Sequence, residues 1–424
     1  MHFVEQFNQL PLERLVHDSL RAPAAAVQSS LAKETLGLAD FAHFISPAGT
    51  AEVEAIARRA QVLTRQRFGK VIRLFAPLYL SNECINNCSY CGFSRDNPIL
   101  RVTLSLEDVI TEGRALAEQG FRNVLLVAGE HPRFVSEGYL QECVAALHEF
   151  IPSVSLEIGP METPEYEPLV QAGAEGLVVY QETYDRPVYS EMHTAGPKKD
   201  FDWRLATPER AYEAGFRRLG IGALLGLGDW RWEALSLAAH AQWLLRHCWK
   251  AQLTLSLPRL RPCAGEFEPL VNVTDTELVQ LTAAFRLLLP DVGIVLSTRE
   301  PARLRDGLFG LGITHASAGS HTEPGGYTGA GNDKLHHTER GRAGEIIAAE
   351  SATGQFDIAE VGGKRGDDAQ PLSSDSLGQI EAVRQTGPSL RRYRGGFRPI
   401  RRPQRECPWR WPLLHRAMQP RRGR

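Results

Sequence analysis

Eight short runs rich in β-branched and other apolar residues recur along the chain, and helical segments separate them. The first run spans residues 71–80 and the last spans residues 314–317. The other six runs begin near residues 124, 154, 176, 218, 253 and 293. Strands that alternate with helices predict an α/β fold with a parallel sheet, and eight of them predict a (β/α)8 barrel of the TIM type. A doubly wound open sheet is the alternative, although no GxGxxG motif follows the first run.

Two segments flank the predicted barrel. Residues 1–69 show apolar positions at helical spacing, and Gly69 ends the pattern, so we expect an N-terminal helical extension there. The barrel itself is expected to occupy residues 70–359. Residues 360–424 lose hydrophobic periodicity, which predicts an atypical tail rather than a further barrel helix.

The tail is strongly basic. Residues 361–424 contain 15 Lys and Arg against 5 Asp and Glu, whereas the whole chain has a formal net charge of −2. Residues 391–424 alone include 12 arginines. The tail is therefore interpreted as disordered, as a basic arm for an acidic partner, or as a frame-shifted translation of the last barrel helix, which we favour. The acidic remainder of the chain predicts no nucleic-acid surface.

Composition also predicts the compartment. The chain has no apolar run of about 18 residues, so we expect no transmembrane helix and no membrane association. The N-terminus lacks the basic and apolar regions of a secretion signal. Seven cysteines, three of them close together, are typical of a reduced protein with a metal site. We therefore expect a cytoplasmic protein.

The three clustered cysteines, Cys84, Cys88 and Cys91, are spaced so that a loop can direct their thiolates at one centre. Thiolates favour iron–sulfur clusters, zinc or copper(I). A structural zinc site has four protein ligands, and residues 82–97 contain no fourth cysteine and no histidine. Buried thiols and a zinc-stabilised, non-catalytic barrel with a distant fourth ligand remain alternatives. The more specific hypothesis is a [4Fe–4S] cluster with one iron open to a small molecule.

This CxxxCxxC spacing, with Tyr90 directly before the third cysteine, resembles the motif of the radical S-adenosylmethionine (SAM) superfamily. Residues 77–82 before it and residues 92–94 after it are similar to those of the tyrosine-cleaving branch. The resemblance implies that the three cysteines bind a [4Fe–4S] cluster and that SAM completes it. In that family, an electron from the reduced cluster cleaves SAM to methionine and a 5′-deoxyadenosyl radical.

Polar residues at the predicted strand ends extend the resemblance, because the chemistry of a barrel lies at the C-terminal ends of its strands. Ala128-Gly129-Glu130 follow the second strand, where the family has a Gly-Gly-Glu stretch that binds the SAM amino group. Glu157 lies in the apolar third strand, and a SAM contact or an internal salt bridge would explain it. Gln181 and Glu182 follow the fourth strand, and we expect them to contact SAM or substrate.

The later strands end in arginines and a serine. Arg259 and Arg261 follow the sixth strand, Arg299 follows the seventh, and Ser317 ends the eighth. A guanidinium group matches a carboxylate in shape and charge, and related enzymes hold the amino-acid carboxylate near the position of Arg299. We predict catalytic roles for Tyr90, Arg299 and Ser317, and ligand contacts for the other two arginines. Structural ion pairs are the alternative for all three arginines, and packing is the alternative for Tyr90.

The resemblance covers residues 45–359 and rests on several motifs in one order. It implies a lyase that cleaves the Cα–Cβ bond of free L-tyrosine to 2-iminoacetate (dehydroglycine) and 4-cresol for the thiazole moiety of thiamine. The related maturase of [FeFe]-hydrogenase has a second cluster held by three further cysteines. Here Cys407 is the only cysteine after Cys263, which favours the thiamine branch.

The same resemblance implies thiazole synthase as a partner and a flavodoxin or ferredoxin as the electron donor. A relative that acts on tryptophan remains an alternative, as does a radical SAM methyltransferase or ring-forming enzyme. Three histidines are assigned no role in the site. His131 follows Glu130 and could reach the site, but we interpret it as a surface residue, and His336-His337 are assigned no function.

Overall fold

The computed structural model describes residues 2–265, 267–339 and 342–343. The hypotheses about the basic tail therefore lie outside the described residues. In the part described, six helices precede the first strand, namely α1 (Phe3–Phe7), α2 (Leu12–Arg21), α3 (Ala24–Ala32), α4 (Leu38–Phe44), α5 (Pro47–Ala51) and α6 (Val53–Phe68). Within the described residues, no helix is both long enough and apolar enough to cross a membrane.

Eight parallel strands form a closed barrel, which confirms the prediction from the alternating pattern. They are β1 (Arg73–Ser81), β2 (Asn123–Ala128), β3 (Ser153–Glu157), β4 (Ala174–Val178), β5 (Arg218–Gly222), β6 (Gln252–Ser256), β7 (Gly293–Leu296) and β8 (His315–Ser317). Neighbouring strands in sequence pair with one another, and β1 pairs with both β2 and β8. This closure excludes the doubly wound open sheet.

Helices surround the barrel. They are α7 (Leu106–Glu118), α8 (Glu137–His148), α9 (Thr163–Gln171), α10 (Arg186–Met192), α11 (Phe201–Leu205), α12 (Thr207–Ala214), α13 (Trp230–His247), α14 (Asp275–Leu288) and α15 (Ala302–Phe309). A two-stranded antiparallel sheet pairs Asn87–Cys88 with His193–Ala195, and another pairs Thr338–Glu339 with Arg342–Ala343. Short 3-10 helices occupy Pro197–Lys199 and Asn332–Lys334. Sequence patterns missed α10, α11 and α15, because such short helices span about two turns or fewer and leave little periodicity.

Local sequence explains where the long helices begin. The Ser105 hydroxyl accepts a hydrogen bond from the Asp108 backbone N–H, and the Asp108 carboxylate accepts one from the Ser105 N–H. Thr274 and Glu277 form the same reciprocal pair at the start of α14. Such capping boxes satisfy backbone donors that a helix start would leave unpaired. They therefore fix the first turns of α7 and α14.

Helix α13 is buried around most of its circumference, including the fully enclosed Ala234, Ala238 and Ala241. One side packs on β5 and β6, and the other side is covered by α1, α2 and α4. The Phe3 ring of α1 stacks on His240 of α13 with a centroid distance of 4.3 Å. A helix that is apolar on all sides needs cover on all sides. The N-terminal extension supplies that cover.

Arg286 of α14 is a fully buried cation that ties two strand starts together. Its guanidinium donates to the carbonyl oxygens of Pro290 (3.0 Å) and Val292 (2.7 Å), just before β7. It also donates to Gly312 (2.7 Å), shortly before β8. Burial lowers the pKa of Arg286 to about 10, so the group stays charged at neutral pH.

Replacing Arg286 by Met is expected to destabilise the protein by about 3 kcal/mol, because the buried carbonyls would lose their donor. Urea unfolding of the metal-free protein measures this loss. The matched control is Arg303→Met, which removes an exposed arginine nearby and should leave the free energy of unfolding within about 0.5 kcal/mol of the parent. Equal stability of the two variants would contradict the bonding role of Arg286.

Candidate active site

The cysteine loop, residues 82–97, follows β1 at the C-terminal end of the barrel, as predicted. Cys88 is buried, and Cys84 and Cys91 are partly exposed. Burial raises the pKa of Cys88 to about 12 and that of Cys91 to about 11; Lys198 opposes both shifts, and the other thiolates of the loop add to them. The three sulfur atoms therefore share one region, where metal binding would favour the thiolate forms.

The donor set suits a cluster of several irons. Within the described residues, no three His, Cys, Asp or Glu side chains lie close enough to share a single metal ion. In a cubane cluster each thiolate binds a different iron, so three cysteines need not converge on one atom.

Arg101 holds the two ends of the cysteine loop together. Its guanidinium is buried and donates to the carbonyl oxygens of Asn82 (2.5 Å), Phe93 (3.0 Å) and Ser94 (2.7 Å). The Ser94 hydroxyl in turn accepts a hydrogen bond from the Cys88 N–H at 3.0 Å. Arg101 and Ser94 therefore hold the loop in the described conformation.

The residues after β2 pack directly on the first half of this loop. A Cβ atom at Gly129 would lie 2.2 Å from the carbonyl oxygen of Glu83, so a side chain is excluded there. The Ile85 N–H donates to the Glu130 carbonyl oxygen at 2.8 Å. The Glu130 carboxylate accepts from the Asn86 side-chain amide at 2.7 Å. Gly129 and Glu130 thus lie beside the cysteines, where the motif places them.

Glu182 is the centre of a buried charge cluster after β4. Its carboxylate lies 2.8 Å from the Lys198 ammonium group and 3.5 Å from the Arg204 guanidinium group. Burial raises the pKa of Glu182, but Lys198 and Arg204 outweigh it and hold the pKa below its ordinary value. Glu182 also has a φ of 71°, the one positive value found for a non-glycine residue in the described part of the chain.

Helix α13 holds the strained backbone at Glu182 in place through hydrogen bonds to the next two residues. The buried Glu233 carboxylate accepts a hydrogen bond from the Thr183 hydroxyl at 2.5 Å and from the Tyr184 N–H at 2.7 Å. A positive φ costs about 1–3 kcal/mol outside glycine and persists where surrounding contacts determine it. The contacts of Glu182 and Glu233 hold the backbone at this φ. Backbone strain of this kind concentrates at functional sites.

Tyr90 needs a correction, because its phenol is not available to a substrate. The side chain is 6% exposed, and its hydroxyl lies 2.8 Å from Nε2 of His193. Burial lowers the pKa of His193 to about 3, so the ring is neutral. Nδ1 of His193 lies 2.8 Å from the Tyr189 carbonyl oxygen and must donate to it, so Nε2 accepts from the phenol. Tyr90 fastens the cysteine loop to the strand at residues 193–195.

Arg259 needs a second correction. All three of its guanidinium nitrogens form hydrogen bonds or ion pairs, with Glu300, Asp275 and the Val273 carbonyl oxygen. The structural ion pair is therefore the right interpretation of Arg259, because these contacts leave none of its guanidinium nitrogens without a partner. Arg261 lies 2.8 Å from the same Glu300 carboxylate and is less buried.

Arg299, by contrast, is exposed at the end of β7. Among the described residues no hydrogen bond or ion pair of its guanidinium is found. Burial, together with the neighbouring Glu182 carboxylate, raises the pKa of Glu157 to about 7, and Arg299 opposes this shift. The Arg299 cation therefore acts on the Glu157 carboxylate, while its guanidinium donors are not used by the described residues. Ser317 accepts a hydrogen bond from the Thr298 N–H at 3.1 Å.

Gln181 is buried, and its side-chain N–H donates to the Phe201 carbonyl oxygen at 3.3 Å. Its Oε1 has no hydrogen-bond partner among the described residues. A buried acceptor without a donor suits a site that is completed by a ligand.

Several residues near the site were not assigned to it from the sequence. His131 is 7% exposed, so its interpretation as a surface histidine is wrong. His336 lies against Glu83, 253 positions away. Lys198, Arg204 and His193 come from the long connection between β4 and α12. The length of that connection was the available signal, because long barrel connections tend to be functional.

Family models match two parts of the chain. The Radical SAM superfamily matches residues 78–238, and the Biotin and Thiamin Synthesis associated domain matches residues 256–352. The first match includes the cysteine loop, Glu130 and Glu182. The second includes the ends of β6, β7 and β8.

Solved structures support the same relationship. The FeFe-hydrogenase maturase HydG from Carboxydothermus hydrogenoformans is 37% identical, with a TM-score of 0.73, and the match covers 78% of this chain and 80% of that one. Methylornithine synthase, at 21% identity and a TM-score of 0.59, covers 84% of this chain and 99% of its own, and shares the fold.

Two curated relatives identify the family more narrowly than the superfamily match does. The 2-iminoacetate synthase of Escherichia coli K12 is 45% identical over 305 residues, which is 72% of this chain and 81% of the relative. The 2-iminoacetate synthase of Salmonella typhimurium LT2 is 41% identical over 326 residues, which is 77% of this chain and 86% of the relative. With this identity over most of both chains, the protein belongs to the 2-iminoacetate synthase family of the radical SAM superfamily.

Proposed function

We propose that this chain is a radical SAM lyase that cleaves the Cα–Cβ bond of L-tyrosine to 2-iminoacetate and 4-cresol, the step that supplies the thiazole moiety of thiamine. The observation that carries the proposal is the position of three cysteines at the end of β1, beside the cluster of Glu182, Lys198 and Arg204. The 45% identity to a 2-iminoacetate synthase supports it.

The donor set at the end of β1 fits a [4Fe–4S] cluster held by Cys84, Cys88 and Cys91. The cluster and SAM, when bound, supply a radical that abstracts hydrogen. SAM carries an amino group and ribose hydroxyls, which need acceptors such as the unpaired Oε1 of Gln181. The residues that we propose to bind SAM are Ala128, Gly129, Glu130, Glu157, Gln181 and Glu182.

Other residues order the site around these groups. Lys198 and Arg204 balance the charge of Glu182, and Arg101 fixes the loop ends. The barrel walls exclude water from the reacting groups. For the substrate, we propose that Arg299 binds the tyrosine carboxylate, with Ser317 nearby and Arg261 as a weaker candidate because it pairs with Glu300.

Replacing Arg299 by Met is expected to raise the KM for tyrosine about tenfold or more, because the carboxylate would lose its cation. Because Arg299 is exposed, the free energy of unfolding should change little. Product formation at increasing tyrosine concentration measures the effect, and exposed Arg303→Met is the control. An unchanged KM in Arg299→Met would show that another group binds the carboxylate.

We also propose thiazole synthase as the acceptor of the product, because 2-iminoacetate is a reactive imine that benefits from direct transfer. A flavodoxin or ferredoxin would supply the electron. A reducing cytoplasm suits this chemistry, and the six cysteines in the described part of the chain are free thiols.

An anaerobic assay tests the function. The protein is reconstituted with iron and sulfide and incubated with SAM, dithionite and L-tyrosine, and 5′-deoxyadenosine and 4-cresol are measured by chromatography. Both products are expected. 5′-deoxyadenosine without 4-cresol would overturn the tyrosine assignment, and the same assay with L-tryptophan would then test the alternative substrate.

A further inference from the structure

The chain after β8 returns to the cysteine loop. We call residues 331–337 the strap. The Lys334 ammonium group of the strap lies 2.6 Å from the Asp108 carboxylate of α7. His336 exchanges two backbone hydrogen bonds with Arg101, at 2.9 Å and 2.7 Å. The strap is therefore attached to the segment that links the cysteine loop to α7.

The His336 side chain reaches further, to the carboxylate of Glu83. Nε2 of His336 lies 2.8 Å from Oε1 of Glu83, and Nδ1 lies 3.2 Å from the Lys334 carbonyl oxygen. Both ring nitrogens thus have an oxygen atom within hydrogen-bonding distance. The two side chains are 12% and 1% exposed. The contact is therefore nearly closed to water.

Glu83 connects this contact to the metal-binding part of the chain. It directly precedes Cys84, and its N–H donates to the Ser81 hydroxyl at the end of β1. Its carbonyl oxygen is the atom against which Gly129 packs. One residue therefore contacts the end of β1, the residues after β2, the first cysteine and the strap. A shift of its side chain would be transmitted to all four.

A buried carboxylate needs its partner. Removing one member of such a pair leaves a charge or donor without compensation, whereas replacing both members by apolar side chains of similar size is close to neutral. Here the unpaired group would be one residue from Cys84. The structure therefore favours a role for the pair in the loop itself rather than in the fold at large.

We propose that Glu83 and His336 form a latch that positions the cysteine loop and thereby slows the loss of its metal centre. Both are positioning residues, since they act through the loop and neither is assigned to metal or substrate. The inference rests on the cluster proposed at the three cysteines and is independent of which amino acid is cleaved. It also gives the chain beyond the eighth strand a part in the site.

The test uses the full chain in five variants: Glu83→Leu, His336→Phe, the double variant, His337→Phe as the matched control, and Arg286→Met as a variant weakened away from the loop. His337 is exposed and adjacent to the latch. Each protein is reconstituted anaerobically and then exposed to air, and loss of the cluster absorbance is followed. The electron paramagnetic resonance spectrum of the reduced cluster is recorded with and without SAM.

Each single variant is expected to lose its cluster about tenfold faster than the parent, because the contact that holds Glu83 to the strap is broken beside Cys84. The double variant should lose its cluster about as fast as a single variant, because it lacks the same contact, whereas its free energy of unfolding should return close to that of the parent. His337→Phe should match the parent. The response of the spectrum to SAM should change in the single variants and in the double variant alike.

Three results would overturn the latch. One is a cluster lifetime in the single variants equal to that of His337→Phe. Another is a double variant whose effect is the sum of the two single effects. The third is an equally short lifetime in Arg286→Met, a variant weakened far from the loop, since the effect would then reflect global stability. A parent that binds no iron would instead overturn the proposed function, and the latch with it.

Discussion

Replacing Cys88 by Ala is expected to abolish both the metal centre and the formation of products. The parent should contain about four iron and four sulfide per chain after anaerobic reconstitution. Cys88 is the buried member of the three cysteines, and its N–H is bonded to Ser94 within the loop. Without its thiolate, two ligands remain, and the cluster lacks the protein ligands that the motif provides. Iron analysis and the assay for 5′-deoxyadenosine and 4-cresol measure the result.

The matched control is Cys143→Ala. Cys143 is a buried cysteine on α8, so its replacement tests the loss of a thiol outside the loop. This variant should keep its iron and sulfide content and both products. A Cys88→Ala protein that retains the cluster and its products would refute the assignment of the metal centre to the loop.

Replacing Glu182 by Gln is expected to lower kcat/KM about 100-fold and to destabilise the protein by about 3 kcal/mol. The amide would keep the shape of the side chain but leave the Lys198 and Arg204 cations without their shared counter-charge. Glu182→Gly tests whether relief of the backbone strain can compensate for loss of the charge. Glycine adopts the positive φ without strain, but it also lacks the carboxylate. It should be as inactive as Glu182→Gln. Exposed Glu191→Gln is the control on neighbouring α10.

The stability effect of Glu182 should depend on pH. Because the folded state lowers the pKa of Glu182 below its ordinary value of 4.5, its carboxylate stabilises the fold above that value. The contribution is lost as the pH falls through the lower, folded-state pKa. The difference in unfolding free energy between parent and Glu182→Gln should therefore be largest near neutral pH and shrink in acid. A difference that grows as the pH falls would contradict the ion pairs.

The barrel was predictable because its signal is repeated. The strands are mostly buried apolar runs, and a helix follows each of the first seven, so the observed strands lie within a few residues of the predicted runs. The cysteine loop was predictable for a related reason, since its three ligands are close in sequence. Local patterns of this kind survive in the sequence itself.

Contacts between distant residues were not predictable from such patterns. Arg259 was expected to bind a ligand, but Glu300, 41 positions away, pairs with it. Tyr90 was expected in catalysis, but His193, 103 positions away, takes its hydroxyl. In both cases, folding brings the polar group next to a partner that is distant in the sequence. A sequence motif shows which polar groups are present. The three-dimensional structure shows which of them remain free to bind a ligand.

The enclosed helix α13 has a consequence for how the protein is made. Its outer cover, α1, α2 and α4, lies in the first 44 residues, which leave the ribosome before α13 does. The cover is therefore already synthesised when the apolar helix emerges, and the exposed surface that promotes aggregation is brief. A circularly permuted gene that moves residues 1–68 to the end would reverse this order. Such a protein would contain the same contacts but would have to wait, with α13 uncovered, until its translation was complete.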